Sequence, residues 1–513
     1  MKKKLYLLLV GVLSLFLFVA CGDKKEQNTT AQGKDTLIVA NGADAKSLDP
    51  HGTNDAPSAK VIGQIYDRLV DQDENMNIVP SLAESWEQPD PKTTIFHLRK
   101  GVKFHNGEPL KASDVKFSID RMKNSPKVSH IIDAVDNVEV IDDYTVKVTT
   151  KEPFGPLLNH LAHNAASILN EKAVTEAGES YGQHPVGTGP YKFVSWQSGD
   201  RITLDANPDY FRGETPIKHI VFRSIVENAN RTIALETGEV DIAYDIEGLD
   251  KDRLKNDDKV KFIEQPSLSM SYLGFNIKKA PFDKKEVRQA IATAINIDDI
   301  IDAVYKGSAQ KGDSLVGPKV KGYSNKPQHY AYNPEKAKQM LAEAGYPNGF
   351  KTKIWTNDNP LRRDIAVILQ DQLKQVGIDA DIETLEWGAF LDGTARGDQD
   401  MFILGWVTVT GDADYGLFPL LHTSSFGGGG NRAFYDNPKI DDLLVKAKTS
   451  VDQKERDAIY EQIQVIAQED MPYYVIGYPT QNAAVQKNVE NFKLKPSGHH
   501  SMYGVKFAGQ EQK

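Results

Sequence analysis

The residues that could carry chemistry are few and scattered. His160 and His163 form a His-x-x-His pair, but no Glu follows the first histidine and the chain's one cysteine, Cys21, is far away. A zinc hydrolase needs that Glu as general base and a structural zinc site needs thiolates. The pair therefore reads as two ordinary histidines, and His499-His500 reads as a solvated pair near the C-terminus. Gly187-Thr188-Gly189 and the tetraglycine at 427–430 lack the Lys-Ser/Thr ending of a phosphate-cradling loop, so both read as turns. Asp and Glu number 71, yet no spacing isolates an acid and base pair from a charged surface. The sequence names no catalytic residue, no metal site and no cofactor.

Cys21 has a different chemistry available. Lys2, Lys3 and Lys4 precede an apolar run at 5–20, the layout of an export signal. The run falls short of the roughly 20 apolar residues of a permanent span. A leader ending in a lone cysteine resembles the lipobox of a bacterial lipoprotein, in which the Cys21 thiol is acylated and becomes the new N-terminus. Phe18 stands where that pattern favours Leu, with Leu17 one step further back. The resemblance implies a signal peptide at 1–20, whose removal takes the net charge from −10 to −13, and a lipidated polar tether at 21–35. With one cysteine no intramolecular disulfide exists, so a large core must supply the stability.

The elements that must position a site occupy the remaining chain. At 513 residues, 40% hydrophobic and 26% charged, the composition suits a globular protein and excludes collagen-like, coiled-coil and wholly disordered chains. The length implies about three or four domains or lobes, which makes a site between lobes a reasonable expectation. Lys plus Arg is 61, so the net charge of −10 leaves no basic excess to follow a phosphate backbone, and nucleic acid is not an expected partner. Beyond residue 35 no apolar stretch reaches membrane length.

The run Thr36-Leu37-Ile38-Val39-Ala40 predicts a strand, and 58–170 a mixed block that includes a strand at 93–98 and a hairpin broken at Asp142-Asp143. Glycines and prolines at 185–193 mark a lobe boundary before strands at 190–196 and 201–206. After about 275 the pattern alternates: helices at 285–296, 334–345, 362–376, 437–448 and 452–469, with strands at 379–385 and 401–406. Such alternation predicts an α/β lobe. Residues 473–484 return to strand-like text, expected to rejoin the first lobe.

Several fragments together resemble the solute-binding proteins of peptide-importing ABC transporters, the oligopeptide, dipeptide, nickel and glutathione group. They are Ile65-Tyr66-Asp67-Arg68-Leu69-Val70, the segment 80–86 ending in Trp86, the segment 96–107 ending in His105-Asn106-Gly107, and Ala112-Ser113-Asp114-Val115. Gly187-Thr188-Gly189-Pro190-Tyr191-Lys192, Asn207-Pro208-Asp209-Tyr210-Phe211, Gly238-Glu239-Val240-Asp241 and 281–291 continue the match in order. The resemblance implies an α/β, two-lobed, hinge-closing fold of the periplasmic-binding-protein kind, type II. A discontinuous first lobe would comprise 36–57, 174–274 and 476–513, a small inserted domain 58–173, and a second lobe 275–475.

The resemblance also implies where a ligand sits. Dipeptide receptors of the group place an arginine near Asn357-Asp358-Asn359-Pro360 to fork onto the ligand carboxylate, which makes Arg363 the first candidate and Arg362 the second. In the di- and oligopeptide receptors an Asp three residues beyond the equivalent of Trp406 pairs with the peptide ammonium. That position is Val409 here, which leaves Asp412 or Asp414 as a shifted anion and brings the stretch Thr408, Thr410, Gly411, Asp412, Asp414 and Tyr415 nearer the glutathione-type pattern. Trp355, Trp387 and Trp406 could supply rigid aromatic walls, and Asn54 and Asp55 contacts from the opposite lobe. The expected protein is a monomeric, lipid-anchored receptor outside the cytoplasmic membrane. It would bind a small peptide, with glutathione among the candidates, and hand it to an ABC permease with its ATPase subunits. A nickel chelate, haem or an opine is the alternative cargo; an exported hydrolase or an adhesin is the remote alternative.

Overall fold

The computed structural model describes residues 34–510, apart from 247, 329 and 451. The expected export signal, Cys21 and most of the expected tether lie outside the described residues.

One 12-stranded sheet runs through both lobes. In the first lobe the strand Thr36–Asn41 lies parallel to His219–Ser224 and Ile242–Tyr244, and Arg201–Ala206 and Tyr191–Gln197 continue antiparallel. In the second lobe Phe350–Asn357 is parallel to Ile378–Leu385 and to Met401–Val407. The helix Pro360–Gln375 makes the crossover that a parallel pair requires. Its start is set locally: Pro360 supplies a preset φ in the first turn, and the Asn359 side chain accepts from the Arg362 N–H.

The lobes are joined by two neighbouring crossings. The 14-residue strand Tyr473–Gln486 pairs with Ser269–Phe275 through 473–477, then with Val260–Pro266 through 480–486. The sequence places the lobe boundary at 274/275, within the strand Ser269–Phe275. The whole strand packs with the second lobe, because Leu273 and Phe275 bury against Ile354, Ile365 and Leu369 beneath its helices.

A four-stranded antiparallel sheet, in the order Ala83–Asp90, Thr93–Leu98, Thr145–Thr150 and Val135–Asp142, has a core of its own. That core takes in Leu69, Phe96, Ile119, Val148 and Ile168. The helix Ala56–Ile65, expected in the same block, packs elsewhere: Val61, Ile62 and Ile65 bury against Leu37 and Val39 of the first lobe.

The fragments that carry the family resemblance interlock in this scaffold. Asp67 accepts from Thr188 Oγ1 at 2.9 Å and from the Tyr210 hydroxyl at 3.0 Å, and Asn207 Nδ2 donates to the Gly189 carbonyl at 3.1 Å. Asp241 accepts from the Ile38 N–H at 2.9 Å. Gly187 and Gly189 are bare because the helix end leaves no room: a Cβ on Gly187 would sit 2.0 Å from the Ile65 carbonyl oxygen.

Candidate functional site

A cavity of about 380 Å³ lies between the lobes. It opens at the carboxyl ends of parallel strands, where Asn41, Asp245 and Asn357 end their runs, the usual place for a ligand in an open α/β sheet. Helix starts at Asp55, Asn359 and Trp387 complete its rim.

Four of the expected residues close the lobes over this cavity. Asn54 Nδ2 donates to the Tyr415 hydroxyl at 3.2 Å, and Trp387 Nε1 donates to Asp55 Oδ1 at 3.3 Å. Trp406 also lines the cavity and holds Tyr415 from behind, Nε1 donating to its carbonyl at 3.0 Å with the rings 5.5 Å apart. Outside the cavity Lys46 and Lys127 both reach Asp392, and Lys448 meets Asp133 at 2.6 Å. Trp355 packs into the second lobe instead, against the helix Trp387–Arg396 at Gly393.

The two arginines part company. Arg362 enters the cavity, its guanidinium 5.5 Å from the centroid of the Trp387 ring and Nη1 donating to Asn357 Oδ1 at 2.9 Å. No carboxylate of the described residues stands within ion-pair distance, and burial lowers the arginine's pKa. Arg363, the first candidate from sequence, points the other way and pairs with Glu227 at 2.9 Å on the surface. One residue of helix rotates a side chain by about 100°, so only one of two adjacent arginines can face the cavity.

The loop after Trp406 also departs from expectation. Asp412 is buried against Arg456 at 2.7 Å and caps the helix Ala413–Leu421 by accepting from the Asp414 N–H. Asp414 is buried against His160 Nε2 at 3.1 Å. Neither lines the cavity, and both already have partners, so the expectation of an ammonium site at either fails. Thr408, Thr410 and Gly411 also stand outside the lining. The Thr410 carbonyl accepts from Gln72 and Asn159 of the neighbouring lobe and domain. Gly411 is at φ 74°, a turn that its residue type permits without strain. Val409 does line the cavity and packs into the small domain's core.

Two carboxylates of the described residues face the cavity. Asp55 is occupied by Thr53 Oγ1, the Ser58 N–H and Trp387. Asp245, at φ 57° just past the strand Ile242–Tyr244, has one ion-pair contact, Lys60 Nζ at 3.4 Å, and its side chain is 60% exposed. Sequence reading did not single out Asp245, Lys60 or Arg432 as lining residues. It also placed His499-His500 in solvent, whereas His500 is 4% exposed and burial pushes His499 down to about 3. The segment that carries them folds back under the cavity, where His163 and His499 both join the lining.

One string ahead of the Gly187-Thr188-Gly189 turn has a catalytic appearance. Gly178-Glu179-Ser180-Tyr181-Gly182 has the letters of a hydrolase nucleophile elbow, which requires a strand before the serine and a helix after it. Here a helix, Glu171–Ala177, precedes it, and the Ser180 hydroxyl donates to the Ala177 carbonyl at 2.8 Å on the exposed surface.

Known proteins agree with this architecture. The family description "Bacterial extracellular solute-binding proteins, family 5 Middle" matches residues 77–428. The glutathione-binding protein GsiB of Pectobacterium atrosepticum is 34% identical over 90% of this chain and 91% of its own. Heme-binding protein A of Haemophilus influenzae is 33% identical over 87% of each chain. The ABC transporter-associated periplasmic binding protein DppA from Helicobacter pylori, solved with the peptide STSA, superposes with a TM-score of 0.87 at 33% identity, covering 93% of this chain and 98% of its own. A two-lobed scaffold, a cavity enclosed by both lobes and these matches across most of the chain place the protein among the family 5 bacterial extracellular solute-binding proteins.

Proposed function

We propose that the protein captures a small peptide, glutathione-like peptides included, and delivers it to an ABC permease driven by separate ATPase subunits. The observation that carries the reading is Arg362, a guanidinium in the cavity between the lobes with no carboxylate of the described residues to pair with. An enclosed, unpaired charge is costly, and a ligand carboxylate in a two-pronged contact offsets that cost. Asp245, weakly held by Lys60, is the carboxylate left for the ligand's ammonium now that Asp412 and Asp414 have internal partners. At about 380 Å³ the cavity lies at the small end of ligand sites, suited to a few residues of peptide. Two relatives are named for glutathione and dipeptides.

The test is thermal unfolding of the purified protein against free dipeptides, tripeptides, glutathione and an N-acetylated copy of any binder. A ligand of the folded state raises the transition by an amount set by its concentration over its dissociation constant. Stabilisation by a free peptide, lost on N-acetylation, is expected. Tolerance of N-acetylation would remove Asp245 from the ligand, and no response to any peptide would hand the site to a non-peptide cargo such as haem or a nickel chelate.

The protein works outside the cytoplasm as a monomer held by lipid on Cys21. Support comes from the charged and then apolar leader that ends at that residue, and no helix among the described residues is long and apolar enough to cross a membrane. In cells fed a labelled fatty acid, Cys21→Ser is expected to abolish label on the protein; label retained by the variant would refute the anchor.

A further inference from the structure

Five charged side chains line the cavity among the described residues, and they do not cancel. Lys60, Arg362 and Arg432 face Asp55 and Asp245. Burial keeps the imidazoles of His163 and His499 neutral. The lining therefore has one positive charge in excess, and the excess sits on the second lobe. Lys60 has Asp245; Arg362 and Arg432 have no carboxylate of the described residues within ion-pair distance.

The two guanidiniums flank one turn of helix. Arg362 stands over the ring of Trp387, while Arg432 Nη1 donates to the Leu391 carbonyl at 2.7 Å and to Thr394 Oγ1 at 2.8 Å. Trp387 and Leu391 are four residues apart on the helix Trp387–Arg396, which puts them on one face with their Cβ atoms about 5–6 Å apart. Those two bonds use one nitrogen of Arg432, and its Nε and Nη2 make no hydrogen bond to the described residues. A lone carboxylate can satisfy one fork and not both.

We propose that the cavity selects peptides with a second carboxylate, which Arg432 takes while Arg362 takes the C-terminal one. This specificity rests on the peptide reading above. A peptide with two carboxylates and one ammonium has net charge −1, which the lining's excess balances. Two chemistries supply the second carboxylate: an acidic side chain in an ordinary peptide, or a γ-glutamyl linkage that leaves its α-carboxylate free. A simple neutral dipeptide would leave Arg432 without a counterion.

Calorimetric titration with two matched pairs tests this. Ala-Glu is compared with Ala-Gln, and glutathione with 4-aminobutyryl-cysteinyl-glycine, which keeps the ammonium and lacks the α-carboxylate. Loss of a charge-assisted hydrogen bond predicts a preference for the acid of roughly tenfold to a hundredfold in at least one pair, and the pair that shows it identifies the source. In Arg432→Gln the preference of acid over neutral form should vanish. The ratio is taken within one variant, so any general loosening of the fold by the substitution cancels, and the wild-type comparison needs no variant. Equal binding of acid and neutral forms by the wild type, or a preference that survives Arg432→Gln, overturns the second-carboxylate assignment alone. Binding of none of the four overturns it together with the peptide reading.

Discussion

Replacing Arg362 with alanine is expected to weaken peptide binding by about 2–5 kcal/mol, the range that follows truncation of one partner in a desolvated charged pair. Arg363→Ala should leave affinity within about threefold, since its side chain is 39% exposed and meets Glu227 at the surface, where ion pairs contribute little. The contrast is sharp because the two residues share a helix turn, a charge and a neighbourhood. Arg362→Lys separates charge from shape: the cation persists, but the planar fork and its stacking over Trp387 do not. Lysine should therefore recover less than half of the lost binding free energy. Calorimetric titration with the best peptide reads all three. Unchanged affinity in Arg362→Ala would remove the carboxylate assignment, and a loss in Arg363→Ala equal to that in Arg362→Ala would show that the helix start, rather than one guanidinium, had been disturbed.

The fold was far more legible than the ligand, for a reason visible in particular residues. The fragments that mark the family bind one another, Asp67 to Thr188 and Tyr210 and Asn207 to Gly189, and Asp241 holds Ile38 of the first strand. None of them lines the cavity. They hold the first lobe together, so they announce the scaffold and say nothing of its cargo. Helices and strands of the second lobe were readable because each buries one face, as in Pro360–Gln375, where Ile365, Ala366, Leu369 and Leu373 recur at helical spacing on the core side.

The cavity is assembled from places that periodicity does not address. Asp245 follows a three-residue strand at positive φ, Lys60 projects from the outer side of a core helix, and Arg432 lies in a loop. His499 arrives from the last segment of the chain. Their meeting depends on the lobes closing, which no local pattern encodes. Arg362 and Arg363 mark the limit most clearly: an alignment uncertain by one residue is harmless for naming a fold and decides everything about a side chain that must face inward. The acids at 412 and 414 failed for the opposite reason, since an Asp in a Gly-rich loop looks available in sequence whether or not a buried arginine or histidine already holds it.

Asp412→Asn is expected to lower the unfolding free energy by about 3–5 kcal/mol, the cost of leaving a buried partner charge uncompensated. Asp412 and Arg456 have side chains 9% and 5% exposed and meet at 2.7 Å. The Tyr460 hydroxyl and the Ala447 carbonyl accept further bonds from the guanidinium but bring no charge. Asparagine is chosen because it keeps the shape and the helix cap, its side-chain oxygen still able to accept from the Asp414 N–H, so the change isolates the charge. Arg456→Met in the same chain should restore part of the loss, since removing both charges costs less than stranding one. Denaturant unfolding measures the stability, and peptide titration of the folded variant measures the site. A stable variant with peptide affinity gone would return Asp412 to the ligand; a destabilised one that binds within about threefold of the parent assigns the acid to holding the loop that carries Tyr415 across the cavity.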